Sequence, residues 1–134
     1  MSFSLCHENI LLLGAGGAVQ GVLHPFLTQQ CNITLANRTL IKAQVLARNF
    51  SSFGKITVCS YEQLAGGQFD IIINGTSAGL QNIVPPIPDD CLARNGITYD
   101  MLYSKVPTAF VQWGIQKGAS KALDGLGMLV EQAA

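Results

Sequence analysis

Apolar runs and stretches of helical period alternate along this chain. Asn9 to Leu13 is close to an unbroken apolar run, as expected of a central parallel strand buried on both faces. From Gly16 to about Gln29 the period turns helical, with Val19, Val22, Leu23, Phe26 and Leu27 supplying an inward face. Pro25 lies inside that stretch, where its ring would meet the carbonyl of Gly21, and predicts a kink. Asn32 to Ala36 reads as a second strand. Thr39 is placed to cap a helix over Leu40 to Phe50, with Ile41, Val45 and Leu46 among its buried positions. A third strand follows at Lys55 to Cys59, a short helix near Tyr61 to Leu64, and a fourth strand at Phe69 to Asn74. Thr76 to Asp90, with Pro85, Pro86 and Pro88, is irregular. Ile97 to Asp100 reads as a fifth strand, followed by a helix from about Pro107 to Gln116 closed by Gly118. Gly125 to Ala134 reads as the start of one more helix. Strands alternating with helices predict a doubly wound parallel α/β sheet, because right-handed crossovers leave few other topologies.

Composition narrows the function classes. The 134 residues allow one domain with a substantial core, and 49% hydrophobic against 12% charged residues excludes a disordered chain. With 8 basic and 8 acidic residues there is no electrostatic case for nucleic acid or an anionic membrane surface. The apolar run Ile10 to Leu13 is far too short to span a bilayer, and the N-terminus lacks a signal-type pattern, so a cytoplasmic location is expected. Cys6, Cys31, Cys59 and Cys91 form neither a CxxC pair nor a cluster of metal-ligand spacing. They read as reduced thiols of a cytosolic protein, without zinc or disulfide.

The chemistry concentrates in loops that follow strands. Gly14-Ala15-Gly16-Gly17 joins the first strand to the first helix and offers a phosphate bare backbone amides at a helix N-terminus. A glycine turn by itself is a weak signal, and Val19 stands where the third glycine of GxGxxG would be. About twenty residues further on, where an acidic residue would accept a ribose 2′-hydroxyl, stands Asn37-Arg38-Thr39, followed by Lys42. Arg38 alone fits a solvated surface arginine. At a strand end, beside Asn37 and Thr39, it points to the 2′-phosphate of NADP, with its guanidinium free to stack on adenine. Asn74-Gly75-Thr76-Ser77-Ala78-Gly79 follows the fourth strand, where small residues let backbone and hydroxyls approach a cofactor, and Asp100 to Tyr103 follows the fifth. All four segments fall on the C-terminal edge of the expected sheet, where such folds bind ligands. The reading is a Rossmann-like NAD(P)-binding domain.

At these residues the chain resembles the C-terminal, NADP-binding domain of shikimate dehydrogenase, the enzyme that interconverts 3-dehydroshikimate and shikimate. The resemblance runs from about Ile10 to Ala134 and rests on Gly14 to Ala18, Asn37-Arg38-Thr39 with Lys42, Asn74 to Gly79, Tyr99-Asp100-Met101-Leu102-Tyr103, and Asp124 to Ala134. Gly75, where alanine is common, is a departure expected to be neutral. The resemblance implies that Ala15, Gly16, Gly17 and Ala18 line the pyrophosphate, with Gly14 also in the cofactor-binding set, and that Asn37, Arg38, Thr39 and Lys42 hold the adenosine 2′-phosphate. It implies that Thr76 and Ser77 lie along the nicotinamide half, and that Met101, Gly125 and Met128 pack around the ring. Tyr103 and Gln132 would reach shikimate. By residue type alone, Met101 and Met128 are core fillers and Gln132 a helix-surface residue.

The catalytic lysine and aspartate of that family, and the serine motif that grips the shikimate carboxylate, belong by the same resemblance to an N-terminal substrate domain. Nothing here matches it: only Met1 to Asn9 accompany the first strand at that end, and Ala134 comes before the family's final helix. Reducing a ketone by hydride needs a proton donor for the developing alkoxide. Asp100 and Lys105 are the nearest in type, but the family pattern assigns neither to that role. The expectation is therefore a cofactor half that binds NADP(H) with little turnover unless a substrate domain acts in cis or in trans. Apolar surface left by the missing domain would favour homo-oligomers. Two alternatives stay open: a non-catalytic module that senses NADP, and a quinate dehydrogenase relative. Arg38 argues against an NAD-preferring quinate enzyme and against an S-adenosylmethionine methyltransferase, both of which would carry an acid there.

Overall fold

A computed structural model describes residues 8–76, 83–102 and 107–124 of the chain. In chain order its elements are β1 (Asn9–Leu13), α1 (Gly17–Thr28), β2 (Asn32–Ala36), α2 (Leu40–Asn49), β3 (Ile56–Cys59), a 3₁₀ turn (Glu62–Leu64), β4 (Phe69–Asn74), β5 (Leu92–Asp100), α3 (Ala109–Gln116) and β6 (Lys121–Leu123). The six strands form one sheet in the order β3-β2-β1-β4-β5-β6, every neighbouring pair parallel. The chain starts in the middle, winds outward to β3, then crosses back beside β1 to build the other half. The order reverses between β1 and β4, and that switch point opens a crevice beyond the strand ends.

Strand periodicity divides the core. Ile10 and Leu12 pack into an apolar layer with Val19, Leu23, Phe26 and Leu46, while Leu11 and Leu13 join Ile72, Phe110 and Trp113 on the opposite face. Alternate β1 residues point to opposite sides of the sheet, and because both sides are covered all four are fully buried. The expected doubly wound α/β sheet is what this chain forms. Among the described residues no helix is long and apolar enough to cross a membrane.

Several local expectations change. In α2 the buried positions are Ala43 and Leu46, whereas Ile41 is 65% and Val45 47% exposed. Ala43 and Leu46, three apart, form one stripe against the sheet; Ile41 and Val45, four apart, lie on another that faces solvent. Thr39 does occupy the N-cap position, but its side chain makes no capping hydrogen bond. The cap with side-chain chemistry is at α3, where Thr108 accepts a hydrogen bond from the Val111 amide at 3.2 Å, so that helix begins at Ala109 and Pro107 precedes it. β5 begins at Leu92, ahead of the expected Ile97, because its pairing with β4 shifts register between Phe69 and Ile71 and Asn95 adopts a positive φ of 63°. β6 is an addition to the expected strands: Lys-Ala-Leu is too short to carry a strand signal and is recruited by pairing with Ile97 to Tyr99. Helix α1 continues through Pro25 to Thr28, and Gly21, whose carbonyl loses its usual donor, is exposed to solvent. The stretch expected as a final helix, 125–134, lies outside the described residues.

Candidate functional site

A cleft of about 850 Å³ runs along the C-terminal edge of the sheet, within the size range typical of small-molecule sites. Its floor is the turn after β1. Gly14 there has φ +110°, a conformation that L side chains rarely adopt, and a Cβ on it would sit 2.9 Å from the Gly75 carbonyl oxygen. The turn is fixed to both neighbouring strands: Gly14 N–H donates to the Ala36 carbonyl and Gly75 N–H to that of Leu13, each at 2.8 Å. Gly16 caps α1 without a side chain, and no acidic residue lies in the first turn. The first-turn amides thus keep both their donors and the positive end of the helix dipole for an anion.

The second wall follows β2. Asn37, Arg38, Thr39 and Lys42 line the cleft together. Asn37 Nδ2 donates to the Thr39 carbonyl at 3.0 Å, a bond that braces the loop, and the Thr39 side chain makes no helix-cap hydrogen bond. Arg38 and Lys42 are exposed at the rim, and among the described residues no carboxylate lines the cleft, so the field of these groups favours anions.

The third wall comes from β4 and β5. Asn74 is 1% exposed, and its Oδ1 accepts from the Thr76 amide at 3.2 Å and the Thr76 hydroxyl at 2.7 Å. That geometry turns Asn74 Nδ2 the other way, where it is buried with no hydrogen-bond partner among the described residues. Asn74 lines the cleft together with Gly75, Thr76, Met101 and Leu102. Asp100 is not available as a proton donor at the cleft: its Oδ1 accepts from Leu102 N–H at 3.0 Å and its Oδ2 from the Thr108 hydroxyl at 2.6 Å, all within a 1% exposed residue.

Of the positions singled out from the sequence, Gly14, Ala15, Gly16, Gly17, Ala18, Asn37, Arg38, Thr39, Lys42, Thr76 and Met101 all meet in this cleft. Ser77, Ala78, Gly79, Tyr103, Lys105, Gly125, Met128 and Gln132 lie outside the described residues. Gly75 is not a neutral departure, because a Cβ there would come 2.5 Å from Val19 Cγ2. Sequence reasoning also misses Tyr61 after β3 and the apolar Ile83 to Pro86 wall, both of which border the cleft. In sequence Tyr61 reads only as part of a short helix; its place two residues beyond a strand end, like that of Arg38, is the available signal. Burial pushes the Tyr61 phenol above its ordinary range, and the Arg38 charge opposes the shift. Among the described residues no group of three or more His, Cys, Asp or Glu is placed to hold a metal ion.

Comparison with known proteins agrees with this architecture. The sequence model of the family described as "Shikimate / quinate 5-dehydrogenase" matches residues 1–85. A relative named shikimate dehydrogenase (NADP(+)), from Cellvibrio japonicus, is 50% identical across 100% of this chain, which covers 49% of that protein. Among solved structures, an Ael1 enzyme from Pseudomonas putida superposes with a TM-score of 0.82 at 42% identity, covering 98% of this chain and 48% of its own. Shikimate 5-dehydrogenase from Thermus thermophilus, solved with NADP(H) and shikimate, superposes with a TM-score of 0.73 at 27% identity, covering 95% and 46%. The chain spans about half the length of the curated relatives it matches.

Proposed function

This chain belongs to the shikimate/quinate 5-dehydrogenase family, and from that premise we propose that it is a single NADP(H)-binding domain, the cofactor half of a cytoplasmic shikimate dehydrogenase. The observation that carries the reading is one cleft lined by an uncapped helix N-terminus and the Arg38–Lys42 pair, with no carboxylate among the described lining residues. A dinucleotide 2′-phosphate has the charge and reach to use both, whereas a free 2′-hydroxyl would leave Arg38 without an anionic partner.

The groups present fit such a cofactor. Gly14 and the bare turn after it let a pyrophosphate approach the first-turn amides of α1. Arg38 and Lys42, with Asn37 and Thr39, hold the 2′-phosphate. Asn74 Nδ2, buried and without a partner among the described residues, is a donor suited to a ribose or carboxamide oxygen, and leaving such a group unpaired is costly. Thr76 and Met101 border the nicotinamide end, a place that Ser77, Gly125 and Met128 share in this reading. When bound, the reduced nicotinamide supplies hydride for the 3-keto carbon of 3-dehydroshikimate. The residues of this chain bind the nucleotide, orient the ring and shield it from water. Tyr103 and Gln132 reach shikimate, and the proton donor comes from a substrate-binding half outside these 134 residues.

The test is a turnover assay with shikimate and NADP⁺. The chain alone is expected to give no rate above background, and a fusion to the substrate half of a relative an ordinary one, of order 1–10³ s⁻¹. Turnover by the chain alone at such a rate would contradict this division of labour. A fusion that binds NADP⁺ yet stays inactive would point instead to a non-catalytic NADP-sensing module.

A further inference from the structure

The adenine end of the cleft carries a group that phosphate binding does not require. Ala36 and Cys59 are register partners at the ends of β2 and β3. Arg38 and Tyr61 each lie two residues beyond that pair, so they stand side by side on one sheet edge, and both line the cleft. A phosphate asks only for cations and amides. A half-buried aromatic ring next to the guanidinium suits a flat, apolar-faced base instead.

Core packing holds the side chain and a turn holds its backbone. Tyr61 packs against the apolar cluster that contains Leu64, Phe69 and Phe110, and Val84, which also lines the cleft, abuts the same cluster. Its backbone is pinned by the 3₁₀ turn: Leu64 N–H donates to the Tyr61 carbonyl at 3.2 Å, and Ser60 N–H donates to Gln63 Oε1 at 2.8 Å. A ring fixed by its own core contacts loses little conformational freedom when a ligand arrives. Tyr61 and Val84 thus both add core-backed apolar surface to the cleft whose charged rim carries Arg38.

We propose that Tyr61 forms the aromatic wall of the adenine subsite and is an affinity-determining contact for the base of the dinucleotide. The inference rests on the NADP reading above and adds a residue to it. It requires the ring and not the phenolic hydroxyl, so phenylalanine serves as well as tyrosine.

The experiment is calorimetric titration of the 134-residue chain with NADP⁺ and with 2′,5′-ADP, which shares the adenine and the 2′-phosphate but lacks nicotinamide. Tyr61→Leu keeps an apolar side chain against the cluster while removing the ring. It is expected to weaken both ligands by about tenfold, and Tyr61→Phe by less than about twofold. In the unsubstituted chain, intermolecular NOEs are expected between the Tyr61 ring protons and adenine H2 or H8, a readout that needs no variant to fold. Unchanged binding by Tyr61→Leu, a loss in Tyr61→Phe equal to that in Tyr61→Leu, or absence of those NOEs at saturating NADP⁺ would overturn the inference while leaving the NADP site standing. Failure of the unsubstituted chain to bind either ligand would overturn the underlying reading itself.

Discussion

Val19 Cγ2 occupies the space that a side chain on Gly75 would need: a Cβ built on Gly75 lies 2.5 Å from it. The contact ties the first turn of α1 to the end of β4 and explains an irregularity of the glycine motif. A third glycine normally lets the helix approach the strand closely. Here Val19 fills that position, fully buried, and the missing volume is given up by Gly75 on the adjacent strand end. Gly75 in turn places its carbonyl where a side chain on Gly14 would go. The two loops that form the cleft floor are therefore packed as a reciprocal set.

Gly75→Ala is expected to destabilise the chain by about 1–3 kcal/mol through overpacking, since Val19 is held in a full core. Val19→Ala alone leaves a void and also destabilises. The double variant is expected to lose less than the sum of the two, with a coupling of about 1 kcal/mol in urea unfolding. Simple additivity would show that the two positions do not share space.

Thr108 joins two jobs in one hydroxyl, donating to Asp100 Oδ2 at 2.6 Å and accepting from the Val111 amide at the start of α3. Thr108→Ala removes the cap and one hydrogen bond from a buried carboxylate, with an expected cost of about 2–4 kcal/mol. Thr108→Ser keeps the oxygen and is expected to stay within about 1 kcal/mol of the unsubstituted chain. Thermal unfolding of the pair checks this; equal losses would assign the role to the Thr108 methyl group and not to the hydroxyl.

Burial pushes the Cys91 thiol up to about 11 from an ordinary 9.0, with the nearby Asp89 and Asp90 charges adding to the rise. At a given pH below 9 the folded chain then carries about a hundredfold less thiolate at Cys91 than an exposed thiol. Iodoacetamide at pH 8 is expected to label half-buried Cys59 well before Cys91 and Cys31, both buried, as read by mass spectrometry. Because the folded value is the higher one, this thiol contributes stability fully below pH 9. That contribution, of up to about 3 kcal/mol, is lost as pH rises through 11. Cys91→Ala is expected to flatten the alkaline fall.

Much of this was legible because the relevant signals are local. The apolar run at Asn9 to Leu13, the glycine turn and the Asn37 to Lys42 segment each announce themselves within a few residues, and strand alternation then puts them on one edge. What escaped depends on contacts far apart in sequence. Ile41 and Val45 look buried until Ala43 and Leu46 are seen to make the stripe that meets the sheet. β6 is a strand only because β5 offers it an edge. The sensitivity of Gly75 is set by Val19, on the neighbouring strand's helix, and Tyr61 becomes a cleft residue only through the β2–β3 register.

The most direct test of the central claim is titration of the chain with NADP⁺ and, separately, with NAD⁺, repeated on Arg38→Ala. Tighter binding of NADP⁺, falling by about 10–100-fold in Arg38→Ala while NAD⁺ binding is unchanged, is the expected result. Equal affinity for the two nucleotides, or an Arg38→Ala variant that binds NADP⁺ as the unsubstituted chain does, would contradict it.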